Sequence, residues 1–178
     1  FWAVVPVLVV AVLPGVAGPG QVAAVSAAVI GVGAVGSALG GALSGRWGSH
    51  RIAAGALAGS GLVCLVYPLL PDGAAALKIA ALLVWGVLVI ADSPQFSALA
   101  SAHVPAESTG VALTAMNALG FFVTVVSIVI LQALVAAWGE IALWLLLPGP
   151  ALGLLAMRPL WARTGRIADG GGGREQRT

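Results

Sequence analysis

The chain is written as long, almost unbroken apolar runs separated by short clusters of Pro, Gly and charge. The runs cover about residues 1–13, 21–43, 52–70, 75–102, 105–137 and 141–157. The first ends at Pro14-Gly15 and the third stops at Pro71-Asp72-Gly73. The fifth opens on Pro105, a favourable first helical position, and the sixth contains Pro148-Gly149-Pro150. No sustained period-two alternation appears, and the runs far exceed the roughly 10-residue strands of a membrane barrel. The pattern therefore predicts helices. Internal Pro and Gly do not contradict this, because neighbouring membrane helices can satisfy the backbone groups they free. A bilayer core of about 30 Å takes about 20 apolar helical residues. The first run is too short for that and reads as the outer end of a helix whose start precedes Phe1.

Composition turns a helical pattern into a membrane one. Of the 178 residues, 60% are hydrophobic and 8% are charged, and the mean hydropathy is +1.08. A soluble domain carries about 25% charged residues. So few charges cannot coat a water-exposed surface, which excludes a soluble enzyme, a nucleic-acid-binding domain and a disordered protein. The expected fold is all-α: a polytopic transmembrane helix bundle of about six helices, the first truncated, over residues 1–157.

Half of the charges (Arg158, Arg163, Arg166, Asp169, Arg174, Glu175 and Arg177) lie in 158–178, which reads as a basic, disordered cytoplasmic tail. With six segments, Arg46, Arg51 and the tail arginines share one side, and only Lys78 lies on the other. The positive-inside rule puts the arginine side in the cytoplasm. Trp47, Trp138 and Trp161 fall at segment ends, where interfacial aromatics belong.

The second segment carries Gly33, Ser37, Gly41 and Gly45 at i, i+4 spacing, with Gly36 and Gly40 beside them; the third carries Gly55 and Gly59. Such small-residue stripes let helix backbones approach closely. Two readings stay open here, static packing and a sliding surface between helices that move.

Between the second and third segments the chain reads Gly41-Ala42-Leu43-Ser44-Gly45-Arg46-Trp47-Gly48-Ser49-His50-Arg51. This resembles the cytoplasmic loop signature of the major facilitator superfamily, Gly-x-Leu-Ala-Asp-Arg-x-Gly-Arg-Lys. Gly41, Leu43, Arg46 and Gly48 match in register, and Arg51 adds a nearby positive charge. Gly45 stands where the family has Asp, so the carboxylate that would tie the loop to a helix terminus is missing. Segments four and five, with Trp85-Gly86 through Ala91-Asp92-Ser93-Pro94-Gln95-Phe96-Ser97 and Gly110 through Phe121, are similar to helices ten and eleven of bacterial permeases in that superfamily, some loosely labelled nitrate/nitrite- or cyanate-type. The resemblance covers about residues 1–160. It implies the C-terminal six-helix half of a twelve-helix transporter in the bacterial inner membrane, with its C-terminus cytoplasmic. The implied function is secondary active transport of a small molecule or ion by alternating access. The implied partners are the lipid bilayer, that solute and the missing N-terminal half.

Asp92 is the one charged side chain well inside a segment. A charge at membrane depth is costly, about 2.5–3.5 kcal/mol on insertion scales, and usually faces a bundle interior or a wet cavity. Three roles fit: proton exchange coupled to transport, a counter-ion for a cationic solute or a distant Arg, and a structural acceptor for donors freed by Pro94. Gln95, one turn on, could meet substrate or a neighbouring helix. Thr114, Asn117 and Thr124 fall within an arc of about 80° on the fifth segment, with Ser127 about 60° beyond. They could line a path or bond between helices. Glu107, in the first turn of that segment, suits the helix dipole as a cap, with gating as the alternative role.

Other chemistry is thin. Cys64 is the sole cysteine and reads as a buried small hydrophobe. His50 and His103 fall in loops without clustered carboxylates or cysteines, so no metal site and no cofactor is expected. Ala58-Gly59-Ser60-Gly61 superficially resembles the Gly-x-Ser-Gly of rhomboid proteases, but Ala58 replaces the required Gly and no segment supplies a His base, so no enzyme is expected. Two alternatives to secondary transport are the permease subunit of an ATP-driven importer and a non-transporting membrane scaffold.

Overall fold

The computed structural model describes residues 1–13 and 18–170, with side chains through Pro159. The described residues are helical, with no strand among them. Helix α1 spans Val5–Val12, α2 Pro19–Trp47 and α3 Ser49–Val66, which a 3₁₀ turn extends over Tyr67–Leu69. Helix α4 spans Ala75–Ala91 and α5 Ser93–His103. A 3₁₀ turn at Ala106–Ser108 leads into α6, Thr109–Trp138. A longer 3₁₀ stretch, Gly139–Leu146, then feeds α7, Pro148–Gly170.

The spans Pro19–Trp47, Ser49–Leu69, Ala75–His103 and Ala106–Pro159 are long and apolar enough to cross a membrane. The last is 54 residues long and turns back at Gly139, where φ is +65°, so it contributes two passes. The chain is an all-helical integral membrane protein. Helix α2 has 29 residues, about 44 Å at 1.5 Å per residue, which exceeds a core of about 30 Å. A helix of that length tilts or projects beyond the hydrocarbon.

Three differences from the sequence pattern matter most, the first two for a backbone reason. The expected fourth segment is two helices, because Pro94 lacks the N–H that a continuous helix would use. The expected loop between the second and third segments is a one-residue corner. Helix α2 runs to Trp47, Gly48 turns the chain at φ +83° and ψ +142°, and α3 starts at Ser49. Thus Gly41, Leu43 and Arg46 lie on α2, and Arg51 lies in the first turn of α3. Finally, α7 continues through the expected tail boundary at residue 157 to Gly170, with Pro159 inside it. Residues 171–178, and Pro14-Gly15, lie outside the described residues.

Packing centres on α2 against α4, the most extensive helix pair. In lipid no hydrophobic force drives helices together, so close dispersion contact must. Gly36 abuts the backbone of Val87, Gly40 abuts the carbonyl of Ala91, and Gly86 abuts the carbonyl of Val29. Gly33 meets Ile90 on the same face. Gly41, Gly45 and Gly55 face open space. The working stripe is therefore Gly33, Gly36 and Gly40, not the i, i+4 series Gly33, Ser37, Gly41, Gly45.

One apolar cluster joins α1 to the middle of the bundle, with Leu8, Val29, Leu82, Trp85, Leu131 and Leu143 buried in it. Two of its polar side chains find partners: Trp85 Nε1 donates to Ser60 Oγ at 3.0 Å, and Cys64 Sγ donates to the Leu143 carbonyl at 3.0 Å, while the buried Tyr67 hydroxyl has none among the described residues. Cys64 is buried, as a small hydrophobe would be. A smaller cluster ties α3 to α7 through Leu57 and Met157 near the Gly48 corner. Trp47 and Trp138 are exposed at helix ends, as interfacial aromatics are. The side chain of Trp161 is not among those described.

Candidate functional site

The break between α4 and α5 places Asp92 where one helix ends and the next begins. Its backbone stays helical, with φ −81° and ψ −33°. Its carbonyl accepts from the N–H groups of Gln95 at 2.9 Å and Phe96 at 3.0 Å, which starts α5. Its side chain is half-buried, and Oδ1 accepts from Ser93 Oγ at 3.2 Å. Counted at 1.5 Å per residue, Asp92 lies about 26 Å from the start of α4 and about 16 Å from the end of α5. It is well inside the span.

Ser93 also lines a groove of about 510 Å³ between α5 and α6. Phe96 and Ser97 form its α5 wall, and Asn117, Gly120, Phe121 and Thr124 its α6 wall. The Thr114 and Thr124 hydroxyls are not interhelical glue. Thr124 Oγ1 donates to the Gly120 carbonyl and Thr114 Oγ1 to the Gly110 carbonyl, both at 2.8 Å and both within α6. Thr124 therefore presents only its lone pairs to the groove. Asn117 faces the same space, exposed. The helix-α6 arc thus divides: Asn117 and Thr124 line the groove, while Thr114 does not.

Gln95 does not line it either. Its side chain is buried against α2, where Nε2 comes within 3.5 Å of the Cβ position of Gly40. Of its two expected roles, the geometry gives contact with a neighbouring helix. Asp92 reaches the groove only through Ser93. The candidate site is therefore the Asp92–Ser93 corner facing Asn117 and Thr124.

A second polar centre lies at the end of the bundle away from Gly48. Lys78, in the first turn of α4, is 2% exposed. Its Nζ donates to Glu140 Oε2 at 2.7 Å and to Asp72 Oδ1 at 3.0 Å. It also lies 5.8 Å from the centroid of the Tyr67 ring, within cation–π range. Lys78, which the sequence places only on the side opposite the arginines, is therefore a buried charge matched by two carboxylates. Topology held the available clue: Asp72, Lys78 and Glu140 all fall at segment ends on one predicted side.

The remaining candidates are surface features. Arg46 and Arg51 are exposed. His103 Nδ1 lies 2.8 Å from the Leu99 carbonyl on its own helix. Glu107 sits in the 3₁₀ turn ahead of α6. Ser60 Oγ is taken up by Trp85. Among the described residues, no group of three or more His, Cys, Asp or Glu could hold a metal. No protein-family model, curated protein or solved structure matches the chain, so its assignment rests on its own residues and geometry.

Proposed function

We propose that this chain is the C-terminal half of a major-facilitator-type secondary transporter, moving a small polar solute by alternating access. The observation that carries the reading is the helix break at Asp92-Ser93-Pro94, inside a membrane span, beside the groove lined by Asn117 and Thr124. Discontinuous membrane helices expose backbone and side-chain polar groups at depth, where transporters bind solute and coupling ion. A carboxylate there has a use that offsets its insertion cost: it exchanges a proton as the groove opens to either side. The tight Gly48 corner, with Arg46 and Arg51 beside it, supports the resemblance to the superfamily signature. In this reading the Arg46–Arg51 end and the C-terminus face the cytoplasm of a bacterial cell.

The test is ion flux in proteoliposomes containing a trapped pH-sensitive dye. The chain is reconstituted alone and together with any coding sequence upstream of Phe1, and challenged with nitrate, nitrite and cyanate. Solute-dependent proton movement is expected for the longer product. Asp92→Asn should abolish the pH dependence while leaving the protein folded. No flux from the longer product counts against transport, and unchanged pH dependence in Asp92→Asn removes the proton role from Asp92.

A further inference from the structure

We infer that the end of the bundle carrying Arg51 and Arg158 binds an anionic phospholipid, its phosphate between the two guanidinium groups and its acyl chains in the grooves flanking α3. The inference needs only the membrane setting and does not depend on transport.

Helix α3 stands between two grooves that share Arg51. One, of about 480 Å³, is walled by α2 and α4 and has Trp47 at its mouth. The other, of about 740 Å³, is walled by α7 and has Arg158 at its mouth. Apart from these arginines the walls are apolar, with Leu39, Leu43 and Leu88 in the first and Leu154 and Leu155 in the second. The first groove follows α2 from Trp47 back to Gly36, about 17 Å at 1.5 Å per residue. The second follows α7 from Arg158 back to Ala151, about 10 Å on the same measure.

The ridge of α3 explains why two grooves exist. Below Arg51 it carries Gly55 and Ala58 at i+4 and i+7, on one helical face. A Cβ on Gly55 would meet nothing within 4 Å. The ridge is therefore low, with one long cationic side chain at its head and depressions on both sides. That shape fits a headgroup with two chains astride it.

Charge points to the sign of the headgroup. Among the described residues, both ion pairs belong to Lys78 at the opposite end, and neither Arg51 nor Arg158 is paired with a carboxylate. A guanidinium fork matches phosphate oxygens with two parallel hydrogen bonds. Basic pockets between membrane helices at headgroup level take anionic lipid heads by this chemistry. A free phosphate ion would leave the apolar walls unused, so the occupant is the lipid. Trp47, exposed beside the first groove, supplies an amphipathic ring at the same depth.

The experiment is electron spin resonance of the full chain in phosphatidylcholine vesicles carrying a trace of spin-labelled phosphatidylglycerol or spin-labelled phosphatidylcholine. The motion-restricted fraction reports lipid held at the protein surface. Phosphatidylglycerol is expected to be selected several-fold over phosphatidylcholine. The double variant Arg51→Gln, Arg158→Gln should bring the two labels close to parity. Gly55→Leu should lower the selectivity by raising the ridge into both grooves. Arg46→Gln, whose side chain lines neither groove, should keep the wild-type ratio. Circular dichroism verifies that each variant is folded. The inference is overturned by any of three results: no selectivity in the wild type, selectivity retained in the double variant or in Gly55→Leu, or an equal loss in Arg46→Gln.

Discussion

A buried lysine ammonium survives only where its charge is met. Lys78 meets Glu140 at 2.7 Å with both side chains largely covered, whereas its Asp72 partner is fully solvated. The two pairs are therefore unequal. A solvated partner adds little, because water screens it and chain entropy opposes the fixed geometry. Removing one member of a buried pair strands the other, at a cost of about 3–5 kcal/mol. Glu140→Gln should lower the thermal stability of the detergent-solubilised chain by an amount of that order, followed by circular dichroism. The double variant Lys78→Met, Glu140→Gln should regain most of the loss, since replacing both partners removes the stranded charge. Asp72→Asn should leave the melting curve close to wild type. Lys78 and Glu140 are each visible in the sequence as charges at segment ends, but 62 positions separate the pair, and local pattern carries no information at that range.

At the scale of the helix, the glycines of α2 divide by direction rather than by spacing. Gly36 lies against the backbone of Val87, which cannot rotate aside as a side chain can. Gly36→Ala should therefore force α2 and α4 apart and cost about 1–3 kcal/mol, the range for overpacking. Gly41→Ala points into open space and should be neutral or slightly stabilising, because Ala is the better helix former. Parallel melting curves of the two variants check this difference. Gly48 is a backbone matter instead. Its φ of +83° with ψ of +142° lies where L side chains are strained, and a Cβ there would also meet the His50 ring at 3.1 Å. Gly48→Ala should cost about 1–3 kcal/mol and loosen the α2–α3 corner, read as faster proteolysis at residues 47–49. The sequence shows a glycine-rich stripe and a turn. Which helical face packs depends on the azimuth of the partner helix, which the chain's own periodicity does not encode.

Across the whole molecule, the helix order places the Gly48 corner at one end of the bundle and the Asp72, Lys78 and Glu140 cluster at the other. Cysteines introduced as Arg46→Cys and Asp72→Cys should therefore react with a membrane-impermeant maleimide from opposite sides of a sealed vesicle. Native Cys64 is buried and should stay silent in the same assay. Labelling of both positions from one side would contradict the described arrangement.

The sequence by itself determined that this is a helical membrane protein, and it located most helices to within a few residues. Hydropathy and turn residues act locally: each apolar residue contributes its own transfer free energy, and Pro or Gly alters its own backbone, wherever the rest of the chain lies. It also singled out Asp92 as the polar exception inside a span. Only the tertiary structure decided that Asp92 sits at a helix break, that Ser93 faces Asn117 and Thr124 across a groove, and that Gln95 turns away towards Gly40. It alone brought Lys78 to Glu140 and set Arg51 over two grooves. These are relations between residues on different helices, set by how the helices are rotated and crossed. In lipid that choice rests on close packing and polar pairing rather than on hydrophobic burial, so a sequence whose helices are apolar all round leaves it unspecified until the helices meet.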